Sequence, residues 1–149
     1  MSTKLVEKSF GTKYFDFAMK TIFDEWGDGN LRHLEEKKEK VKNDRDSKCF
    51  VMTQNDIPLG CFVICKNDIK GYPEYNPNLA CVCISKKYRG NGYANILLKK
   101  ANEVFVNNNI KEAYLKTDLK NFYEKFGWKH IKDIILEGKN EKLYYQKFE

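Results

Sequence analysis

Histidine and proline are scarce in this chain, two and three residues respectively among 149, and no two cysteines stand as C-x-x-C. A zinc ribbon or a redox dithiol therefore lacks its spacing. The five cysteines, Cys49, Cys61, Cys65, Cys81 and Cys83, read as reduced core thiols. No apolar run approaches the ~18 to 20 residues that cross a bilayer. The opening MSTKLVEKSF lacks the apolar centre of a secretory signal. The expectation is a soluble, cytoplasmic protein without a membrane partner. Two nucleotide motifs are also missing. There is no G-x-x-x-x-G-K followed by Ser or Thr, and Gly90 and Gly92 are followed by Asn95 where a dinucleotide fold wants a third glycine.

What is present is an ordinary globular composition, 42% hydrophobic and 14% aromatic. One domain over residues 1–149 with one core is expected. The net charge of +6 raises nucleic-acid binding as a possibility, but the lysines are scattered and often stand beside acids, the pattern of a solvated surface. Positive charge concentrates in one place, Lys86-Lys87-Tyr88-Arg89 with Lys99-Lys100 beyond it, and an anionic cofactor accounts for that equally well.

Residues 3 to 9 alternate as a strand, and Phe15, Ala18, Met19, Ile22 and Trp26 recur at helical spacing. Leu31 to Lys42 reads as a polar surface helix whose glutamates pair with lysines three or four residues on. Cys49–Gln54 and Leu59–Lys66 form a hairpin about Asn55-Asp56-Ile57-Pro58. After a loop over 67–78, Leu79–Ser85 is a central strand. Ala94 to Phe105 is a long amphipathic helix, Glu112–Lys116 a short strand, and Leu119–Phe126 a short helix stopped by Gly127. Trp128–Leu136 and Lys142–Phe148 are the last strands. The order predicts an α+β fold, an α/β/α sandwich of a mixed, mainly antiparallel sheet of about seven strands with four helices.

The segment Arg89-Gly90-Asn91-Gly92-Tyr93-Ala94 lies between the buried strand and the long helix. Glycines there let backbone N–H groups turn into one concavity at the positive end of a helix dipole, a seat for phosphate oxygens. The hexapeptide resembles the Arg/Gln-x-x-Gly-x-Gly/Ala signature of the GCN5-related N-acetyltransferase (GNAT) superfamily, with Arg89, Gly92 and Ala94 at the defined positions. The resemblance extends through Leu79–Ile84, similar to the family's central strand. It continues through Thr117–Trp128, whose Phe122-Tyr123-Glu124-Lys125 run ends at Gly127 and Trp128 like the family's closing motif.

That resemblance implies an acetyl-CoA-dependent N-acetyltransferase acting on a primary amine by direct attack in a ternary complex. Val82, Cys83 and Ile84 would hold the pantetheine arm. Arg89, Gly90, Asn91, Gly92, Tyr93 and Ala94 would hold the pyrophosphate, and Asn121 joins the cofactor-binding set. Tyr123 is the expected general acid for the departing thiolate. The family's glutamate base on the central strand has no counterpart in Leu79–Ser85, and Asp68, Glu74 and Asp118 are the nearby acids. Cys81 and Cys83 share a strand face but lack a His or Asp partner for a covalent route. An acceptor wall of Asp24, Glu25, Trp26, Tyr72 and Tyr75, with Asp28 adding charge, suits a cationic amine, small molecule or peptide. The expected state is a monomer or homodimer that binds no nucleic acid and no metal. The alternatives are a non-catalytic acyl-CoA-binding module and a basic nucleic-acid-binding domain.

Overall fold

Alternating strands and two helical stripes assemble one seven-stranded sheet in the order β1-β2-β3-β4-β5-β7-β6. The computed structural model describes residues 3–7, 13–26, 35, 39 and 47–148, apart from the side chains of Phe23, Glu25 and Trp26. The elements are β1 (Thr3–Glu7), α1 (Lys13–Trp26), β2 (Lys48–Gln54), β3 (Ile57–Cys65), β4 (Asn78–Ile84), α2 (Tyr93–Asn107), β5 (Glu112–Thr117), β6 (Lys129–Leu136) and β7 (Lys139–Lys147). Every neighbouring pair is antiparallel except β4 with β5.

The β2–β3 hairpin turns on Asn55 and Asp56, both at positive φ (53° and 64°). Two left-handed residues give a tight connection whose twist matches that of the strands. Ile57 and Pro58, expected in the turn, therefore open β3 instead.

The period-two alternation divides the core between the two faces of the sheet. On one, α1 buries Phe15, Ala18, Met19 and Ile22 against Cys49, Val51, Cys61, Val63 and Cys65. On the other, α2 buries Leu97, Leu98, Ala101 and Phe105 against Phe62, Ile64, Leu79 and Ile84. Each large apolar side chain so placed contributes about 1.5–3 kcal/mol of transfer free energy. The five cysteines are free thiols, and all but the half-buried Cys81 are buried.

The four-helix expectation needs correction, because two α-helices stand among the described residues. The segment expected as a helix over Leu119–Phe126 is only a 3-10 turn, Tyr123–Phe126. Asn121 at φ 58° breaks helical progression, and the Thr117 hydroxyl accepts the Leu119 N–H (3.1 Å), fixing a turn where a helix would have begun. The helix expected over Leu31–Lys42 lies outside the described residues apart from Glu35 and Glu39.

Candidate active site

Two features of β4 open the sheet. Its register with β3 passes from Cys61↔Cys83 to Val63↔Ala80, so Cys81 and Val82 together oppose Phe62. Cys81 sits at φ 55° in this bulge, an arrangement that bends a strand and re-aims its backbone groups. On the other edge, β4 and β5 pair only at Asn78↔Tyr114. Beyond that contact the strands share no ladder pair, so the β5-facing edge of β4 offers backbone N–H and C=O groups to a ligand in the gap.

A groove of about 300 Å³ lies at this open end. Val82, Cys83 and Ile84 line one side, Arg89, Gly90, Gly92, Tyr93 and Ala94 the end, and Leu119, Phe122 and Tyr123 the opposite side. Gly90 and Gly92 stand at φ 82° and 78°, and a Cβ built on either would meet no protein atom within 4 Å. Left-handed backbone and open space together leave room for a ligand to approach the main chain. Gly92 is the N-cap of α2 and supplies no side-chain cap. The first-turn N–H groups of this 15-residue helix thus face the groove end without a side-chain acceptor, and they carry the positive end of its dipole. The Arg89 Nε donates to the Ile84 carbonyl (3.0 Å), tying the turn to the end of β4. Tyr93 donates its hydroxyl to Gln54 Oε1 (2.9 Å), fixing the start of α2 against β2. These residues fit a pyrophosphate at the helix end and a thin, amide-bearing arm along β4.

Tyr123 is buried, its ring edge-on to Phe122 (5.0 Å between centroids) and tilted against Tyr144 (5.9 Å). Its short helical turn is pinned by the Tyr144 hydroxyl, which donates to Glu124 Oε2 (2.9 Å). Burial pushes the Tyr123 phenol well above its ordinary value, and Cys83, Cys81 and Asp118 add to the shift. The phenol therefore keeps its proton through neutral pH while standing beside the bulged end of β4.

Of the residues singled out from sequence, Val82, Cys83, Ile84, Arg89, Gly90, Gly92, Tyr93, Ala94 and Tyr123 come together on this groove. Asn91 and Asn121 do not line it. The Asn91 side-chain amide donates to the Tyr88 and Arg89 carbonyls (3.1 and 3.3 Å), bracing its own turn. Asn121 is exposed. Leu119, 48% exposed at the groove, and Phe122 were read only as helix residues, because a chain that leaves helical geometry at Asn121 gives no periodic sign of it.

The expected acceptor wall divides. Asp24 is exposed on α1, while Asp28 and the side chains of Glu25 and Trp26 lie outside the described residues. Tyr72 and Tyr75 stack on each other (5.6 Å), and Tyr75 leans on Tyr114 (5.2 Å), so they brace the 66–77 loop against β5 and do not line the groove. Lys70 ties the same loop to Glu137 in the β6–β7 turn (3.2 Å). Among the acids, Asp68 is buried, and Glu74 and Asp118 are exposed. An acid overlooked in the sequence is Glu141 on β7, two residues from the buried Leu143 on the same strand face. Burial raises its carboxyl above the ordinary range; Asp118 and Asp68 push the same way, while Lys116 and Lys139 oppose.

The sequence profile of the acetyltransferase (GNAT) domain matches residues 45–130, more than half of the chain. No curated protein sequence matches the chain. Among solved structures, an aminoglycoside 6'-N-acetyltransferase complexed with coenzyme A superposes with a TM-score of 0.75 at 14% identity, covering 97% of each chain. A GNAT family acetyltransferase from Elizabethkingia anophelis with acetyl-CoA bound superposes with a TM-score of 0.68 at 14% identity, again covering 97% of each. A spermidine/spermine N-acetyltransferase from Vibrio cholerae gives 0.68 at 18% identity, covering 97% of this chain and 92% of that one. At these identities the likeness is one of fold, and the profile match over β2 to the start of β6 carries the assignment: the chain belongs to the GNAT acetyltransferase family.

Proposed function

We propose that this protein transfers an acetyl group from acetyl-CoA to a primary amine, with both substrates bound at once. The observation that carries the reading is the groove itself. A helix end with open N–H groups, two glycines with unfilled space and a strand edge without a partner converge on one phenol held in its protonated form. The folds that superpose on this chain include acetyltransferases solved with coenzyme A or acetyl-CoA bound.

In this reading the α2 end and the Arg89–Ala94 turn seat the pyrophosphate, with Lys86, Lys87 and Lys99 exposed nearby to meet the remaining negative charge. The β4 edge at Val82, Cys83 and Ile84 binds the pantetheine amides. When bound, acetyl-CoA supplies the thioester carbonyl that the amine attacks. A backbone N–H of the bulged strand faces the oxygen as negative charge develops on it, and Tyr123 gives its proton to the departing sulfur. The acceptor arrives from the side of Asp118, Glu141 and Asp68, whose charge favours a cationic amine. Its ammonium proton leaves on that side, where burial lifts the Glu141 carboxyl in the direction a general base needs.

Steady-state release of free thiol from acetyl-CoA tests this directly. With a panel of polyamine, aminoglycoside, lysine-peptide and N-terminal-peptide acceptors, at least one amine should drive thiol release well above hydrolysis. Tight cofactor binding with no amine-dependent release from any class would reassign the protein as an acyl-CoA-binding module.

A further inference from the structure

A second and larger cavity lies on the α2 side of the sheet, at the end of β4 remote from the glycine turn. It has a volume of about 620 Å³ and shares no lining residue with the groove already described. That size falls in the range of small-molecule sites, about 300–1,000 Å³. Its floor is apolar, formed by Phe50 of β2, Ile64 of β3, Pro77 before β4, Val104 of α2 and Ile110 before β5. Five chain segments converge on it, so the space is a basket suited to a short chain and not an extended channel for a helix.

The rim is unevenly charged. Lys48, Lys66 and Lys111 surround the floor, and Glu112 is the one acid on it among the described residues. Glu112 accepts the Tyr145 hydroxyl (3.3 Å), and Lys48 shares its charge with Glu7 (3.7 Å) in a half-exposed pair. The C-terminal end of α2 reaches the same cavity, but most of its last carbonyls are taken. Val104 O accepts from the Asn108 backbone (3.1 Å) and side chain (2.7 Å), Phe105 O from Ile110 N (3.0 Å), and Val106 O from Asn109 N (3.1 Å). Three of the four terminal carbonyls are thus already hydrogen-bonded within the chain, and lysine stems pack on apolar surface while their ammonium groups reach solvent.

We infer that this cavity binds a medium-chain carboxylate, its alkyl tail on the Phe50–Val104–Ile110 floor and its head group among Lys48, Lys66 and Lys111. It is a site separate from the acetyl-transfer groove, and both can be filled together. Charge complementarity selects the occupant, since a cationic amphiphile with the same tail would meet three ammonium groups.

Calorimetric titration of the full chain with decanoate, and with decyltrimethylammonium as the charge-reversed probe, tests the assignment. Decanoate should bind saturably with one site per chain, and the cationic probe about tenfold or more weaker. Saturating coenzyme A should leave decanoate affinity unchanged. The double variant Lys66→Glu/Lys111→Glu should lower decanoate affinity about tenfold while acetyl-CoA affinity stays as in the parent. Val104→Asn, half-buried on the cavity floor in the last helical turn, should weaken decanoate with no change in acetyl-CoA affinity. Absence of saturable binding overturns the inference, as does displacement by coenzyme A, equal binding of the two probes, or indifference to the lysine variant.

Discussion

Replacing Gly92 with valine is expected to abolish coenzyme A binding and leave a folded domain. Gly92 holds φ 78° at the start of α2, and an L-residue forced into that region loses about 1–2 kcal/mol, more when β-branched. That is less than the usual stability of a domain, about 5–15 kcal/mol, so the chain should still melt cooperatively. The ligand site has less margin. The new side chain would enter space that holds no protein atom within 4 Å, which is the space assigned to the pyrophosphate. Loss of two charge-assisted hydrogen bonds at about 1.5–3 kcal/mol each corresponds to a drop in affinity of about 100-fold or more.

Gly92→Asn separates strain from obstruction. Asparagine tolerates left-handed backbone, as Asn55, Asn67, Asn109 and Asn121 already do here. This variant should keep nearly the parent melting temperature and still bind coenzyme A poorly. Unchanged affinity in both variants would place the phosphate seat elsewhere.

The second large effect is expected from Tyr123→Phe. Removing one oxygen leaves the ring contacts with Phe122 and Tyr144 in place, so the fold and coenzyme A affinity should change little. Turnover should fall about 10²–10⁴-fold, the range over which a positioned acid acts. Because burial raises the Tyr123 phenol above its ordinary value of about 10, the parent enzyme should not lose rate through this group in mildly alkaline solution. A variant that turns over as fast as the parent would remove Tyr123 from the chemistry. One that lost turnover and affinity together would make it a structural support of the groove.

Much of this was legible before any coordinate. Strand positions followed from alternation and β-branched content, and the α2 stripe of Leu97, Leu98, Ala101 and Phe105 follows from helical spacing. Gly90 and Gly92 announced a close backbone approach because few residues accept their conformation. Three features were hidden. The bulge at Cys81–Val82 depends on register with β3, which a single strand's sequence does not encode. The separation of β4 from β5 is a tertiary property, readable from sequence only through the family resemblance. Glu141 carries no mark in the sequence, and only its burial, with Asp118 and Asp68 nearby, distinguishes it.

The short turn before Trp128 shows how a local contact overrides a pattern. Leu119, Phe122, Tyr123 and Phe126 carry spacing that suits a helix, yet the Thr117 side chain and left-handed Asn121 redirect the chain. The redirection places Phe122 and Leu119 on the groove wall beside Tyr123.

Calorimetric titration of the purified protein with acetyl-CoA, followed by dephospho-CoA and ATP as competitors, tests the central claim most directly. Saturable binding of acetyl-CoA at micromolar affinity or tighter, with ATP unable to displace it, is the expected result. Absence of acetyl-CoA binding, or its full displacement by ATP alone, would contradict the assignment of the β4–α2 groove to the cosubstrate.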